Sequence, residues 1–148
     1  LCGTLSAITL SSVFLLFRIF DIESSVRHVL LIMVVCLIGY LWFNASPSKL
    51  LMGDAGSRAI GIFIAFSFLK LHCPLLFIPL AIILIVDGGL GLIKVSFIRF
   101  LHINLMQNIR TPIHDHMRKN KGWSDAQVVF RFAIIQIVIA AAVIFAVM

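Results

Sequence analysis

The segment Met52-Gly53-Asp54-Ala55-Gly56-Ser57 joins one carboxylate to two glycines and lies between two apolar runs. The glycines permit a tight backbone around Asp54. Ser57 is positioned to cap the helix that follows, whose free N-terminal amides would favour an anion. A carboxylate beside such amides suits a magnesium ion bridged to a phosphate. A role for Asp54 as a helix cap alone fits the local pattern equally well.

A second polar cluster, Pro112-Ile113-His114-Asp115-His116, lies further along the chain. Pro112 favours extended backbone before it, and in an extended segment His114 and His116 point the same way, with Asp115 opposite. His-x-His is a zinc-ligand spacing, but no further His or Cys lies nearby to complete three or four ligands. Two other interpretations are a basic interfacial loop with solvated histidines and a phosphate site that includes arginines such as Arg110.

The elements that position these clusters are membrane helices. The chain has 148 residues, of which 61% are hydrophobic and 12% charged, with a mean hydropathy of +1.13. Soluble domains are about half apolar and about a quarter charged, so the composition predicts an all-α, polytopic membrane bundle. The net charge of +6 comes from residues that flank apolar runs, which favours membrane lipid over nucleic acid as a partner.

A single membrane domain over residues 1–148 is expected, because spanning a bilayer takes about 20 apolar residues. The predicted spans are 1–20, 26–43, 57–71, 74–98 and 126–148.

Two further elements follow from local patterns. Asp87-Gly88-Gly89 predicts a kinked or broken fourth span, with the carboxylate facing protein or water rather than lipid. Apolar residues between Leu101 and Ile109 are spaced as in a short amphipathic helix on the membrane surface.

Charge distribution predicts the orientation. With five alternating spans, the loops 44–56 and 99–125 share a face that carries seven basic residues: Lys49, Arg58, Arg99, Arg110, Arg118, Lys119 and Lys121. The opposite face carries Arg18, Arg27 and Lys70. Positive charge marks the cytoplasmic side, so Asp54 and His114 are expected to face the cytoplasm together. The chain begins at Leu1 inside an apolar run, which predicts that an N-terminal portion is missing.

Several motifs in order carry a family resemblance. They are Leu41-Trp42-Phe43-Asn44-Ala45-Ser46-Pro47, Met52–Ser57, Pro112–His116, Lys121-Gly122-Trp123 and the run Val128–Ile135. Together they resemble the C-terminal half of the bacterial phospho-N-acetylmuramoyl-pentapeptide transferases. These form a branch of the polyprenyl-phosphate N-acetylhexosamine-1-phosphate transferase superfamily, glycosyltransferase family 4.

The resemblance implies a function in peptidoglycan biosynthesis, and so in cell wall biogenesis, cell shape and cell division. The family transfers phospho-MurNAc-pentapeptide from UDP to undecaprenyl phosphate, which forms lipid I and UMP with Mg²⁺. It implies ten helices in the bacterial inner membrane, with a cytoplasmic active face and a broken ninth helix. This chain would supply the last five helices, with a homodimer left open.

The resemblance also implies roles for residues. Asp54 matches the magnesium-binding aspartate, and Asn44, His114 and His116 match residues that line the nucleotide-sugar site. The predicted catalytic residues are Asp54, His114 and His116, with Asp54 as metal ligand. The predicted substrate-binding residues are Asn44, Leu51, Met52, Gly53, Ser57, Asp115 and Arg110.

The chain departs from the family pattern at three points. The acidic motifs of the family's N-terminal half are absent, which predicts an incomplete, inactive fragment. Asp115 replaces the middle histidine of a triple, and Leu51 replaces an aromatic residue against the uracil. A related polyprenyl-phosphate HexNAc-1-phosphate transferase and a non-catalytic transporter or scaffold bundle are the alternative functions.

Overall fold

A computed structural model describes residues 1–22, 25–45, 47–101 and 111–148. Within these ranges the chain is helical and contains no strand, which confirms the predicted all-α bundle. A short 3-10 helix, Pro74–Leu76, precedes α4. The α-helices are α1 (Cys2–Ile19), α2 (Ser25–Asn44), α3 (Gly53–Lys70), α4 (Phe77–Leu80), α5 (Ile82–Leu101), α6 (Ile113–Lys121) and α7 (Asp125–Val147).

Helix α1 forms the centre of the bundle and packs against α2, α3, α5 and α7. Leu10, Val13 and Phe17 on this helix are fully buried. Gly3 leaves room for the Tyr40 ring of α2, because a Cβ there would lie 3.0 Å from Cε1 of Tyr40. Small residues at helix contacts are how membrane helices bring their backbones together.

The apolar outer faces fit a membrane protein. Helices α1, α2 and α7 are each long and apolar enough to cross a membrane, and the bent pair Pro74–Leu80 and Ile82–Phe97 would make a fourth span. Helix α3 is outside this set, since it carries Asp54 and Arg58 near its start and Lys70 at its end. The five-span topology therefore stays a prediction. The expected amphipathic helix at 101–109 lies, apart from Leu101, outside the described residues.

The expected position of the helix break is wrong. Helix α5 runs without interruption through Asp87-Gly88-Gly89, and the bend of 86° lies instead at Ala81, between α4 and α5. A glycine inside a helix costs only about 0.5–1 kcal/mol, which is not enough to break it. Pro79, two residues before the bend, has no N–H to donate to the preceding turn.

The bend is held by buried side chains of α1 and α7. The carbonyl of Leu80 accepts hydrogen bonds from Thr9 Oγ1 (2.9 Å) and Gln136 Nε2 (2.7 Å). Gln136 Oε1 accepts from the amide of Ile83 at 3.2 Å, so one side chain bridges both sides of the break. Thr9 and Gln136 are fully buried. Backbone groups released by a break at membrane depth need such partners, because no water is available there.

Candidate functional site

A cavity of about 630 Å³ lies at one end of the bundle, between the start of α1, the end of α2, the loop before α3, α6 and the start of α7. Four predicted site residues line it: Asn44, Leu51, Met52 and His114. Their positions span 70 residues of sequence. Other lining residues include Cys2, Gly3, Tyr40, Leu41, Arg118, Asp125, Val128 and Phe130. Most of the wall is apolar, with a few polar groups, as is usual for a small-molecule site.

Asn44 shapes the loop that closes one side of the cavity. It is the last residue of α2, and its amide nitrogen donates to the carbonyl of Leu50 at 2.6 Å and lies 3.3 Å from Ser48 Oγ. The amide of Lys49 donates to the carbonyl of Phe43 at 2.9 Å. The loop is therefore folded back onto the end of α2, which brings Leu51 and Met52 to the cavity.

The two glycines of the acidic segment have different roles, and only Gly53 has a special backbone conformation. Gly53 has φ 64° at the start of α3, a conformation that side-chain-bearing residues rarely adopt. A Cβ on Gly56 would lie 2.6 Å from Cγ of Met52. Gly56 therefore leaves room for the Met52 side chain, which in turn reaches the cavity wall.

The predicted capping role of Ser57 is wrong. Helix α3 begins four residues earlier, at Gly53, so Ser57 lies inside it. Its hydroxyl donates to the carbonyls of Gly53 and Asp54, both at 3.1 Å. A hydroxyl bonded to the preceding turn is a common alternative to capping. Met52 occupies the N-cap position, and no side chain caps this helix end.

Asp54 lies in the first turn of α3 and outside the cavity lining. Its side chain is 92% exposed and forms an i,i+4 ion pair with Arg58 at 3.6 Å. Such a solvent-exposed pair stabilises a protein little. A metal ion could therefore replace Arg58 as the partner of Asp54 at little cost in stability. Among the described residues, no group of three His, Cys, Asp or Glu side chains is arranged to hold a metal. Magnesium often uses one or two carboxylates plus substrate phosphates, and Asp54 fits as one such ligand.

The expected extended segment at His114 is wrong, because Ile113–Lys121 forms helix α6. Pro112 occupies its N-cap position, and proline is well tolerated at a helix start. Gly122 ends the helix with φ 66°. His114 and His116 are therefore turned by roughly 200° relative to each other, rather than pointing the same way. His114 lines the cavity and His116 does not.

His114 is held by Asp87, a partnership that crosses from α6 to α5. Asp87 Oδ1 accepts the backbone N–H of His114 at 3.0 Å, and Oδ2 lies 2.7 Å from His114 Nδ1. The side chain of Asp87 is 16% exposed and that of His114 is 34% exposed. The expectation that Asp87 faces protein rather than lipid is confirmed. The sequence indicated this because a carboxylate within an apolar span is costly unless it has a partner. Its partner was not evident from the sequence.

Several other charged side chains near His114 form ion pairs within the protein. Asp115, predicted to contact substrate, forms an i,i+4 ion pair with Lys119 at 3.3 Å. Arg118 forms an ion pair with Asp125 and so joins α6 to α7. Arg110 lies outside the described residues.

Trp123 and Arg131 tie the turn after α6 to α7. The Arg131 guanidinium lies 4.0 Å from the centre of the Trp123 ring, which is within the range of a cation–π interaction. Ser124 caps α7 in a reciprocal pair of hydrogen bonds with Gln127. The Lys-Gly-Trp and Arg-Phe motifs of the sequence thus have a structural role, at the junction between α6 and α7.

Comparison with known proteins identifies relatives. A family model described as glycosyl transferase family 4 matches residues 1–72. The phospho-N-acetylmuramoyl-pentapeptide-transferase of Treponema pallidum (strain Nichols) is 50% identical over 100 residues, which cover 68% of this chain and 28% of the relative. The enzyme of the same name from Tropheryma whipplei (strain Twist) is 34% identical over 99 residues, 67% of this chain and 26% of the relative.

A third relative extends the similarity to the second polar cluster. The protein of that name from Dictyoglomus thermophilum is 34% identical over 139 residues, 94% of this chain and 44% of the relative. At that coverage the similarity includes α6. The chain spans less than half the length of each of these relatives. These matches confirm the resemblance predicted from the motifs.

Proposed function

Because the chain belongs to glycosyl transferase family 4, we propose that it forms part of a phospho-N-acetylmuramoyl-pentapeptide transferase. The complete enzyme would transfer phospho-MurNAc-pentapeptide from UDP to undecaprenyl phosphate, giving lipid I and UMP. The observation that carries this proposal is the cavity that gathers Asn44, Met52 and His114 from separate segments, with Asp54 two residues beyond Met52.

The cavity suits a donor that is partly polar and partly apolar. Leu51, Met52 and Phe130 offer apolar surface for a base or a lipid, and His114 and Arg118 offer polar groups for phosphate. Phosphoryl transfer depends mainly on positioning and on neutralising charge, so a few well-held groups are sufficient. The lipid acceptor would reach this end of the bundle along the membrane.

Asp54 would hold Mg²⁺ together with the donor's phosphates. When bound, the ion neutralises charge on the diphosphate and on the leaving UMP. The exposed carboxylate in the first turn of α3 supports this role, because a single protein carboxylate with substrate oxygens is an ordinary magnesium arrangement.

We also propose that the complete enzyme lies in the bacterial inner membrane with the cavity at the cytoplasmic face, and the charge distribution supports this orientation. Lys49, Arg58 and the basic residues of α6 lie toward the cavity end of their elements, whereas Arg18, Arg27 and Lys70 lie at the opposite helix ends. The excess of basic residues at the cavity end is typical of a cytoplasmic face.

A chimaera tests the proposal. The matching C-terminal segment of the Treponema pallidum relative is replaced by this chain, and the product is reconstituted in liposomes with undecaprenyl phosphate and Mg²⁺. We expect lipid I to form from UDP-MurNAc-pentapeptide. A well-folded chimaera that transfers only a simpler UDP-N-acetylhexosamine would favour the related transferase, because Leu51 and Asp115 depart from the family pattern. A folded chimaera inactive with every donor, beside an active parent, would contradict an enzymatic role.

A further inference from the structure

We infer that Asp87 is a positioning residue that fixes the tautomer of His114 and caps the helix on which that histidine lies. The structural role of Asp87 is independent of the proposed function. Only the part that His114 would play in the reaction rests on it. It starts from an isolated carboxylate in α5, 27 residues before the histidine in sequence.

The first observation is that Asp87 acts as an N-cap supplied from another helix. The first amides of a helix have no partner inside it. At the start of α6 the N-cap residue is Pro112, which makes no side-chain hydrogen bond. Asp87 Oδ1 accepts the backbone N–H of His114, the second residue of α6, at 3.0 Å. A carboxylate placed there also meets the favourable end of the helix dipole.

The second observation concerns the ring. Asp87 Oδ2 lies 2.7 Å from His114 Nδ1. An ionised carboxylate can only accept hydrogen bonds, so the proton of the neutral ring must be on Nδ1. Nε2 then carries a lone pair. The same carboxylate stabilises the imidazolium that forms when Nε2 takes a proton, as the aspartate of a catalytic triad does for its histidine.

The third observation is that both groups are held rigidly. Asp87 is in the uninterrupted part of α5, and its side chain is only 16% exposed. Two hydrogen bonds to one residue fix the ring as well as the backbone of His114. His114 lines the cavity, so Asp87 controls a cavity group without being among the residues that line it.

In the proposed reaction, His114 would use Nε2 to accept a hydrogen bond or a proton from the phosphate of a substrate. After protonation, Nε2 would donate to a phosphate oxygen. The accepting role requires that Nδ1, not Nε2, carries the proton of the neutral ring. Asp87 supplies that condition, and the substrate need not touch it.

The experiment is nitrogen NMR of the histidine rings in the full chain, reconstituted in lipid bilayers at alkaline pH, which favours neutral imidazole. A His114→Gln variant identifies the signals of His114 among the five histidines. We expect a protonated Nδ1 and an unprotonated Nε2. Asp87→Asn should reverse this pattern, because its amide oxygen can still accept the backbone N–H while its NH₂ group donates to Nδ1.

Asp87→Ala and Asp21→Asn complete the set. Asp87→Ala removes both bonds, so the ring should exchange between tautomers and the amide of His114 should exchange faster with solvent. That amide should stay protected in Asp87→Asn, which shows that α6 remains folded. Asp21→Asn is the matched control, because Asp21 is exposed at the other end of α1. It should leave both signals unchanged. The inference is overturned if His114 carries its proton on Nε2 in the unaltered chain, or if Asp87→Asn leaves the tautomer as it was.

Activity separates this inference from the proposed function. In the chimaera, Asp87→Asn should lower kcat by about 10²- to 10⁴-fold, the usual contribution of a correctly protonated acid–base group, with little change in KM. If the unaltered chimaera transfers nothing, the proposed function fails. The NMR measurement of the His114 tautomer still decides whether Asp87 positions that ring. An active chimaera whose kcat is unchanged by Asp87→Asn would contradict the claim that the His114 tautomer set by Asp87 matters for transfer.

Discussion

At the scale of single residues, the chain separates the groups that meet substrate from those that hold them. Met52 and His114 reach the cavity, whereas Gly56 and Asp87 make their placement possible. The sequence indicated the first kind well, because a glycine-flanked carboxylate and a histidine cluster are local patterns. It identified Asp87 as a carboxylate in need of a partner, but a contact across 27 residues cannot be read from spacing.

Asp54→Asn should reduce transfer by the chimaera to background. The amide keeps the size of the side chain but removes the charge that Mg²⁺ requires. Stability should be almost unchanged, because the side chain is 92% exposed and its ion pair with Arg58 is open to solvent. Lipid I formation and thermal unfolding in detergent measure the two effects. Full activity in this variant would remove Asp54 from the site.

Asp115→His should lower the KM for the donor or leave it unchanged. Asp115 places a negative charge one residue from His114, and Lys119 neutralises it only in part, at 3.3 Å. Replacing an anion near a diphosphate site with a neutral or cationic ring reduces repulsion. Initial rates across donor concentrations measure the effect, with Asp115→Asn as the matched variant that removes charge alone. A clearly higher KM in both variants would show that this carboxylate helps to bind the donor.

At the scale of helices, hydropathy and local signals located three elements closely. Helices α1, α2 and α7 lie near the predicted spans 1–20, 26–43 and 126–148, whereas the predicted span 74–98 is divided between a 3-10 helix, α4 and α5. The start of α3 and the whole of α6 were not foreseen. The glycines around Asp54 indicated a loop there, and Pro112 favours extended backbone before it. The break before α5 was predicted, but seven residues or so too late. Its true position depends on Thr9 and Gln136, which are distant in sequence from Leu80.

Gln136→Leu should destabilise the bundle by about 1–3 kcal/mol, the cost of leaving buried backbone groups without partners. It removes a donor to Leu80 and the acceptor for the amide of Ile83. Thr9→Val should cost less, about 1 kcal/mol, because it removes one of the two donors to the Leu80 carbonyl. Denaturant unfolding in detergent measures both changes.

Ser12→Ala is the control for the bend. Within the described part of the chain, the Ser12 hydroxyl donates to the carbonyl of Ile8 in its own helix, at 2.8 Å. Its loss should therefore cost less than that of Gln136. Equal stability of Ser12→Ala and Gln136→Leu would contradict the account of the bend, since it would mean that the buried amide does not hold it.

At the scale of the whole molecule, the chain is a membrane protein of glycosyl transferase family 4 that spans less than half the length of the relatives it matches. Composition was sufficient to predict a helical membrane protein, because 61% hydrophobic residues is far more than a soluble domain usually has. The grouping of Asn44, Met52 and His114 in one cavity could be expected only from topology and family resemblance, since packing decides which side chains reach it.

The orientation is testable with single cysteines. In a variant with Cys2, Cys36 and Cys73 replaced by alanine, Asn120→Cys and Ser25→Cys place exposed thiols at the cavity end and at the opposite end. A membrane-impermeant maleimide should label Asn120→Cys only from the cytoplasmic side and Ser25→Cys only from the outer side. Labelling of both from one side would contradict the predicted topology.

The central claim is that the cavity at this end of the bundle binds the nucleotide sugar. A donor with a photoreactive group on its uracil is irradiated with the chimaera, and the cross-linked peptides are identified by mass spectrometry. The account predicts cross-links within the cavity lining, at Leu51, Met52 or the start of α7, that an excess of unmodified donor prevents. Competed cross-links confined to the other end of the bundle, with none on the cavity lining, would contradict it.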